Sequence, residues 1–137
     1  MANINKEEQN LSINFNEDSV FKLTPIALED VIEDVTKLLI NGEEILYGFE
    51  TIRDQLIFTS KRIIAIDVQG ITGAKKAFAT MPYAKVQYFT VQTPGFIEIL
   101  PDSELFLMFT NGFTARFLFK GNVDITAIGR LISEFIL

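Results

Sequence analysis

Glu29, Asp30, Glu33 and Asp34 put two pairs of carboxylates on one side of a segment with helical spacing. Paired carboxylates are what general acid–base chemistry would need. A solvated helix face accounts for them equally well, because two of the four fall in the first turns, where the helix dipole favours negative charge. Other catalytic groups are scarce. The sequence has no His, so the usual base near neutral pH and the commonest metal ligand are absent. It has no Cys, which excludes a thiolate nucleophile, a disulfide and a cysteine metal cluster. The serines have no His partner for a nucleophilic triad. Gly70 and Gly73 sit in a polar loop that lacks phosphate-loop spacing and does not lead into a helix. No run of acids has calcium-loop spacing. No catalytic residue, cofactor or metal is expected, and the chain reads as non-enzymatic.

The 137 residues are 48% apolar, with thirteen Phe, three Tyr and no Trp. That is one domain with a proper core. Net charge is −6, unevenly spread. Residues 1–50 hold eleven acids and three bases; residues 51–137 hold seven acids and nine bases. The second part is therefore close to neutral, and no nucleic-acid partner is expected. No apolar run approaches the ~18–20 residues needed to span a bilayer. The polar MANINKEEQN start is not a secretory signal. These features fit a cytoplasmic protein.

The elements that would position any site follow from periodicity. Residues 1–23 read as a leader, disordered to about Asn10. In it Leu11, Ile13 and Phe15 alternate with polar residues as a short strand would. A single domain is expected from 24 to 137. Thr24-Pro25 opens a predicted helix over 25–40, with Leu28, Val31, Ile32, Val35, Leu38 and Leu39 on one face. Asn41-Gly42 would end it. Strands are predicted near 44–53, 55–59, 62–67, 76–82, 85–93, 103–110 and 113–119. Asn111-Gly112 signals a two-residue hairpin. Phe96 to Leu100 reads either as a short strand or as the start of the next one, bent at Pro101. A helix over 123–136 carries Ile125, Ile128, Leu131, Ile132, Phe135 and Ile136 on one stripe, capped by Asn122 or Asp124. Gly129 inside it suggests close backbone packing on a sheet. The run Leu105 to Phe109 is apolar on both faces, so the predicted N-terminal helix or another subunit must cover it.

The ordered series Ile52-Arg53-Asp54, Phe58-Thr59, Lys61-Arg62, Asp67, Gln69-Gly70, Thr72-Gly73, Lys75-Lys76, Pro82-Tyr83, Phe89, Val91, Thr93, Gly95 and Glu104-Leu105 resembles the bacterial pleckstrin-homology (PH) domain family. The likeness covers about Val31 to Leu137. It implies a mainly β (α+β) fold: a PH-like seven-stranded antiparallel β-roll capped by a C-terminal helix, here with an additional N-terminal helix. It also implies a ring-like homo-oligomer serving as an interaction or scaffold module with an undefined ligand. Arg53, Asp54, Leu105, Phe106 and Met108 are the candidate interface. The alternative is a peripheral phospholipid- or peptide-binding module. In eukaryotic PH domains, bases in the early hairpin loops clamp inositol phosphates. By that likeness Lys61, Arg62, Lys75 and Lys76 are candidate lipid or anion contacts. The competing reading makes Lys61-Arg62 a hairpin turn and Lys75-Lys76 a solvated loop.

Overall fold

The computed structural model describes residues 12–14, 22–95 and 102–137. The expected features at Met1–Asn10, at Leu11 and Phe15, and at Phe96–Pro101 lie outside them. Among the described residues nine strands form two sheets. They are β1 (Ser12–Asn14), β2 (Thr24–Ile26), β3 (Ile45–Glu50), β4 (Gln55–Thr59), β5 (Arg62–Gln69), β6 (Lys75–Pro82), β7 (Val86–Gln92), β8 (Asp102–Phe109) and β9 (Thr114–Lys120). The five-stranded sheet runs β2-β3-β4-β5-β6, all antiparallel. The four-stranded sheet runs β1-β9-β8-β7, with β1 parallel to β9. The seven strands expected between 44 and 119 are present as β3 to β9; β1 lies in the leader, where the alternation suggested a short strand, and β2 is an addition.

Alternating side chains build the core. Leu105, Leu107 and Phe109 of β8 point inward with Ala115, Phe117 and Phe119 of β9. They meet Phe49, Leu56, Phe58, Ile63 and Met81 from the other sheet. Phe49, Phe58 and Phe119 pack ring to ring, with centroids 4.7–6.3 Å apart. Helix α1 (Ile125–Ile136) closes the core with Ile125, Ile128 and Ile132. Asp124 caps it, its Oδ1 accepting from Ala127 N at 3.1 Å. A Cβ placed on Gly129 would lie 3.2 Å from Val91 Cγ1 and 3.4 Å from Phe89 Cε2, so the glycine allows the helix to approach β7 closely. Leu23, assigned to the leader by sequence, is fully buried in this core. Its N–H donates to Leu118 O at 3.1 Å and its C=O accepts from Lys120 N at 2.8 Å, just before the chain enters β2. That short stretch ties the two sheets together.

The predicted helix over 25–40 does not form. Pro25 pairs with Phe49 in β2. Two 3₁₀ turns follow, Leu28–Asp30 and Glu33–Lys37, with Val31 and Ile32 extended between them. Two causes combine. Val31, Ile32, Val35 and Thr36 are β-branched and weak in helices. In addition, the Gln55 side chain takes up backbone groups that a helix would bond internally: Oε1 accepts from Ile32 N at 2.9 Å and Nε2 donates to Asp30 O at 3.0 Å. The apolar spacing has another purpose. Val35, Val31, Ile32 and Leu39 cover Ile57, Ile64 and Ile66 on the outer face of the five-stranded sheet.

The β8–β9 turn also differs from expectation. Gly112 N donates to Phe109 O at 2.9 Å, and Phe109 N to Phe113 O at 2.8 Å. With Gly112 at φ +88°, this is a three-residue loop ending in a left-handed glycine rather than a two-residue turn.

Candidate functional site

The four candidate anion contacts do not form one site. Lys61 and Arg62 lie at the β4–β5 turn, and Lys75 and Lys76 begin β6 at the other end of β5. Successive hairpins of an antiparallel sheet turn at opposite ends, and eight strand residues separate these two by about 24 Å. Lys61 and Lys75 are exposed. Lys76 Nζ stands 4.0 Å from Asp34 Oδ2.

Arg62 is a structural staple. Its Nε donates to Glu43 Oε2 at 2.9 Å and its Nη2 to Glu43 Oε1 at 3.0 Å. Its Nη1 donates to Thr80 Oγ1 at 3.1 Å, and Nη2 also reaches Leu38 O. The Glu43 side chain has no exposed surface and also accepts from Thr59 Oγ1 at 2.5 Å and Ile40 N at 3.0 Å. Burial alone would raise the Glu43 carboxyl, but Arg62, Thr59 and Ile40 outweigh it and hold the group below its ordinary value. Tyr83 OH donates to Thr59 O at 2.7 Å, completing the network. Burial, then the charges of Glu43 and Tyr47, pushes the Tyr83 hydroxyl upward. The sequence reading missed this network. Apart from the local Ile40–Glu43 contact, its partners are 16 to 24 residues apart, and only the strand register brings them together.

Arg53 and Asp54 do not pair with each other. Arg53 Nη2 donates to Gly70 O, and Asp54 Oδ1 accepts from Val68 N at 2.9 Å. Together they tie the β3–β4 turn to the β5–β6 turn. Each turn carries an exposed isoleucine, Ile52 at 73% and Ile71 fully exposed. An isoleucine set between Gly70 and Gly73 was the available sequence signal for this feature.

The outer face of the four-stranded sheet is unusual for a surface. Leu105 is in the core, so of the apolar interface candidates only Phe106 and Met108 face outward. Met108 stands opposite Tyr88 and Thr114, and Phe106 opposite Thr90 and Arg116. Tyr88 is 52% exposed and Met108 36%. The Tyr88 and Phe106 rings meet edge to face with centroids 6.3 Å apart. The Arg116 guanidinium lies 4.9 Å from the Phe106 ring centroid and pairs with Glu104. Strict alternation along β7 would put Val86 and Tyr88 on the same side. A register shift between them leaves Val86 buried and turns Tyr88 outward.

A cleft of about 490 Å³ opens beside the end of β6. Ala79, Thr80, Met81 and Pro82 line it, together with Ile13, Lys85 and, around the β8–β9 turn, Phe109, Thr110, Asn111 and Phe113. Among the described residues no three acidic side chains converge to hold a metal ion, and no helix is long and apolar enough to cross a membrane.

Comparison with known proteins matches this architecture. The chain is 41% identical over 75 residues to the uncharacterized protein YjqA of Bacillus subtilis (strain 168), covering 55% of this chain and 58% of that one. It thus spans less than two thirds of that relative's length. It is 31% identical over 97 residues to the uncharacterized protein YozO of the same organism, covering 71% of this chain and 82% of that one. Among solved structures it is similar to a DUF1696 family protein with a pleckstrin-homology domain from Shewanella loihica PV-4. The TM-score is 0.66 at 27% identity, covering 85% of this chain and 99% of that one. A family model described as "Bacterial PH domain" matches residues 14–136, and with the two-sheet roll and capping helix this places the chain in the bacterial PH domain family.

Proposed function

We propose that this chain is a non-enzymatic, cytoplasmic PH-like module that self-assembles into a ring-like homo-oligomer and serves as an interaction or scaffold domain. The observation that carries this reading is the outer face of the four-stranded sheet. An antiparallel sheet with one wet face normally shows polar residues there. Here Tyr88, Phe106 and Met108 form an apolar centre rimmed by Glu104 and Arg116, the make-up of a protein contact. The other sheet offers the internal comparison. Its apolar outer face is covered by the chain's own residues 31–39. Among the described residues the four-stranded sheet has no such cover. A ring follows if this face meets a different patch on the next copy, because head-to-tail contacts close when the rotation allows. Sedimentation velocity of a Phe106→Glu/Met108→Glu variant tests it. The expected result is conversion of an assembly into a folded 15.5 kDa species. An assembly of unchanged size in the variant would remove this face from the account.

The paired turns favour a second reading, peripheral contact with phospholipid. Ile52 and Ile71 are exposed on two turns that Arg53 joins through Gly70 O, and Lys75 begins β6 just after the second turn. Co-sedimentation with phosphatidylglycerol vesicles tests it. Pelleting that Ile52→Asp/Ile71→Asp abolishes supports the reading, and no pelleting at low salt removes it.

A further inference from the structure

We propose that the open edge of β6, with the cleft at its C-terminal end, docks an extended acidic peptide that adds to the five-stranded sheet as a further strand. Backbone register carries the argument. Ile63 stands opposite Met81 and Ala65 opposite Ala79. One pair beyond the strand ends, Tyr83 N donates to Lys61 O at 3.2 Å. Hydrogen-bonded and non-bonded pairs alternate in an antiparallel ladder. Lys75, Ala77, Ala79 and Met81 therefore bond to β5, while Lys76, Phe78 and Thr80 turn their N–H and C=O groups toward the open edge. Pro82, which has no N–H, falls on the same outward parity, the strand position that tolerates proline. β6 ends its sheet, and among the described residues no strand pairs with this edge.

The cleft lies where that edge ends. Ala79 to Pro82 form one wall, and Ile13 and Phe109 of the other sheet, with Phe113 of the β8–β9 turn, contribute apolar surface. Its volume of about 490 Å³ is that of a ligand pocket and receives a bulky apolar side chain from an added strand. Successive residues of such a strand point alternately into the cleft and away from it.

Charge selects the occupant. Residues 68–97 contain three lysines and no Asp or Glu, in a chain of net charge −6. Lys75 and Lys76 begin β6, and Lys85 lines the cleft beyond its end. Lys75 and Lys85 are exposed and have no ion pair among the described residues, whereas Lys76 approaches Asp34. A strand laid along β6 would run between cations at its two ends. The fitting peptide is about eight residues long, acidic near both ends and apolar where it meets the cleft. This edge belongs to a different sheet from the self-association face, so the two proposals stand or fall separately.

The test is fluorescence anisotropy with a labelled octapeptide, glutamates at both ends and valine–phenylalanine–valine at its centre. Control peptides carry lysine for glutamate, or N-methyl groups on alternate residues in each of the two registers. Expected is saturable binding that weakens about tenfold or more with the lysine peptide, with one N-methyl register only, and in a Lys75→Glu/Lys85→Glu variant. Phe106→Glu leaves it unchanged. Five results would overturn the proposal: no saturation by about 1 mM; indifference to both N-methyl registers; loss through Phe106→Glu; binding of single-stranded DNA or phosphatidylglycerol vesicles but not the peptide; or a fall in oligomer mass on reversing Lys75 and Lys85, which would make the occupant a second copy of the chain.

Discussion

Replacing Arg62 by methionine should cost far more than removing a surface charge. The guanidinium makes two contacts to Glu43, at 2.9 and 3.0 Å, one to Thr80 and one to Leu38 O. Methionine keeps much of the stem and none of these. Glu43, with no exposed side-chain surface, would retain only the Thr59 hydroxyl and the Ile40 N–H. Leaving one partner of a buried pair uncompensated costs about 3–5 kcal/mol. Urea unfolding at pH 7 should show it as a midpoint lowered by about 1.5–2.5 M, for a slope of about 2 kcal/mol/M. The pH dependence gives an independent check. In the native protein the Glu43 carboxyl is held below its ordinary 4.5. Its contribution to stability is therefore present above about pH 4.5 and lost as pH falls through the folded value. In Arg62→Met burial prevails, the carboxyl rises above its ordinary value, and this contribution reverses sign, so stability falls as pH rises from that ordinary value through the raised one. Glu43→Leu combined with Arg62→Met should recover most of the loss. A loss below about 1 kcal/mol in Arg62→Met would refute the reasoning, because it would place the pair among screened surface pairs.

Leu23→Ala should destabilise by about 2–5 kcal/mol in the same assay, because a fully buried leucine would leave a cavity between the sheets. Gly129→Leu should lower stability by about 1–3 kcal/mol through collision with Val91 and Phe89. Gly129→Ala should stay within about 1 kcal/mol of the parent, since helix propensity offsets the tight 3.2 Å contact. Val35→Asp should cost several kcal/mol and raise binding of an apolar dye, as an unpaired carboxylate would separate residues 31–39 from Ile57, Ile64 and Ile66.

Strands β3 to β9 were legible because their ends carry their own punctuation. Gly42, Gly70, Gly73, Gly112 and Gly121 all take positive φ at turns, and the odd–even alternation of β8 and β9 maps directly onto buried and exposed sides. The C-terminal helix was legible for the same reason, with Asp124 as its cap and Gly129 as its contact. Residues 25–40 misled because 3₁₀ turns repeat every three residues and reproduce much of a helical apolar spacing. What broke the helix was a distant side chain, Gln55, and the edge of β3. The candidate sites were harder still. Lys61-Arg62 and Lys75-Lys76 look close in sequence, but one strand length separates them. Arg62 is indistinguishable from a solvated turn residue until Glu43 is placed beside it. The outward turn of Tyr88 depends on a register shift that alternation cannot show.

The most direct test of the central claim is the absolute mass of the unmodified chain by light scattering behind a sizing column at low micromolar concentration. Self-assembly through the Tyr88–Phe106–Met108 face predicts a sharp integral multiple of 15.5 kDa that persists on dilution. A clean 15.5 kDa monomer across that range would contradict it.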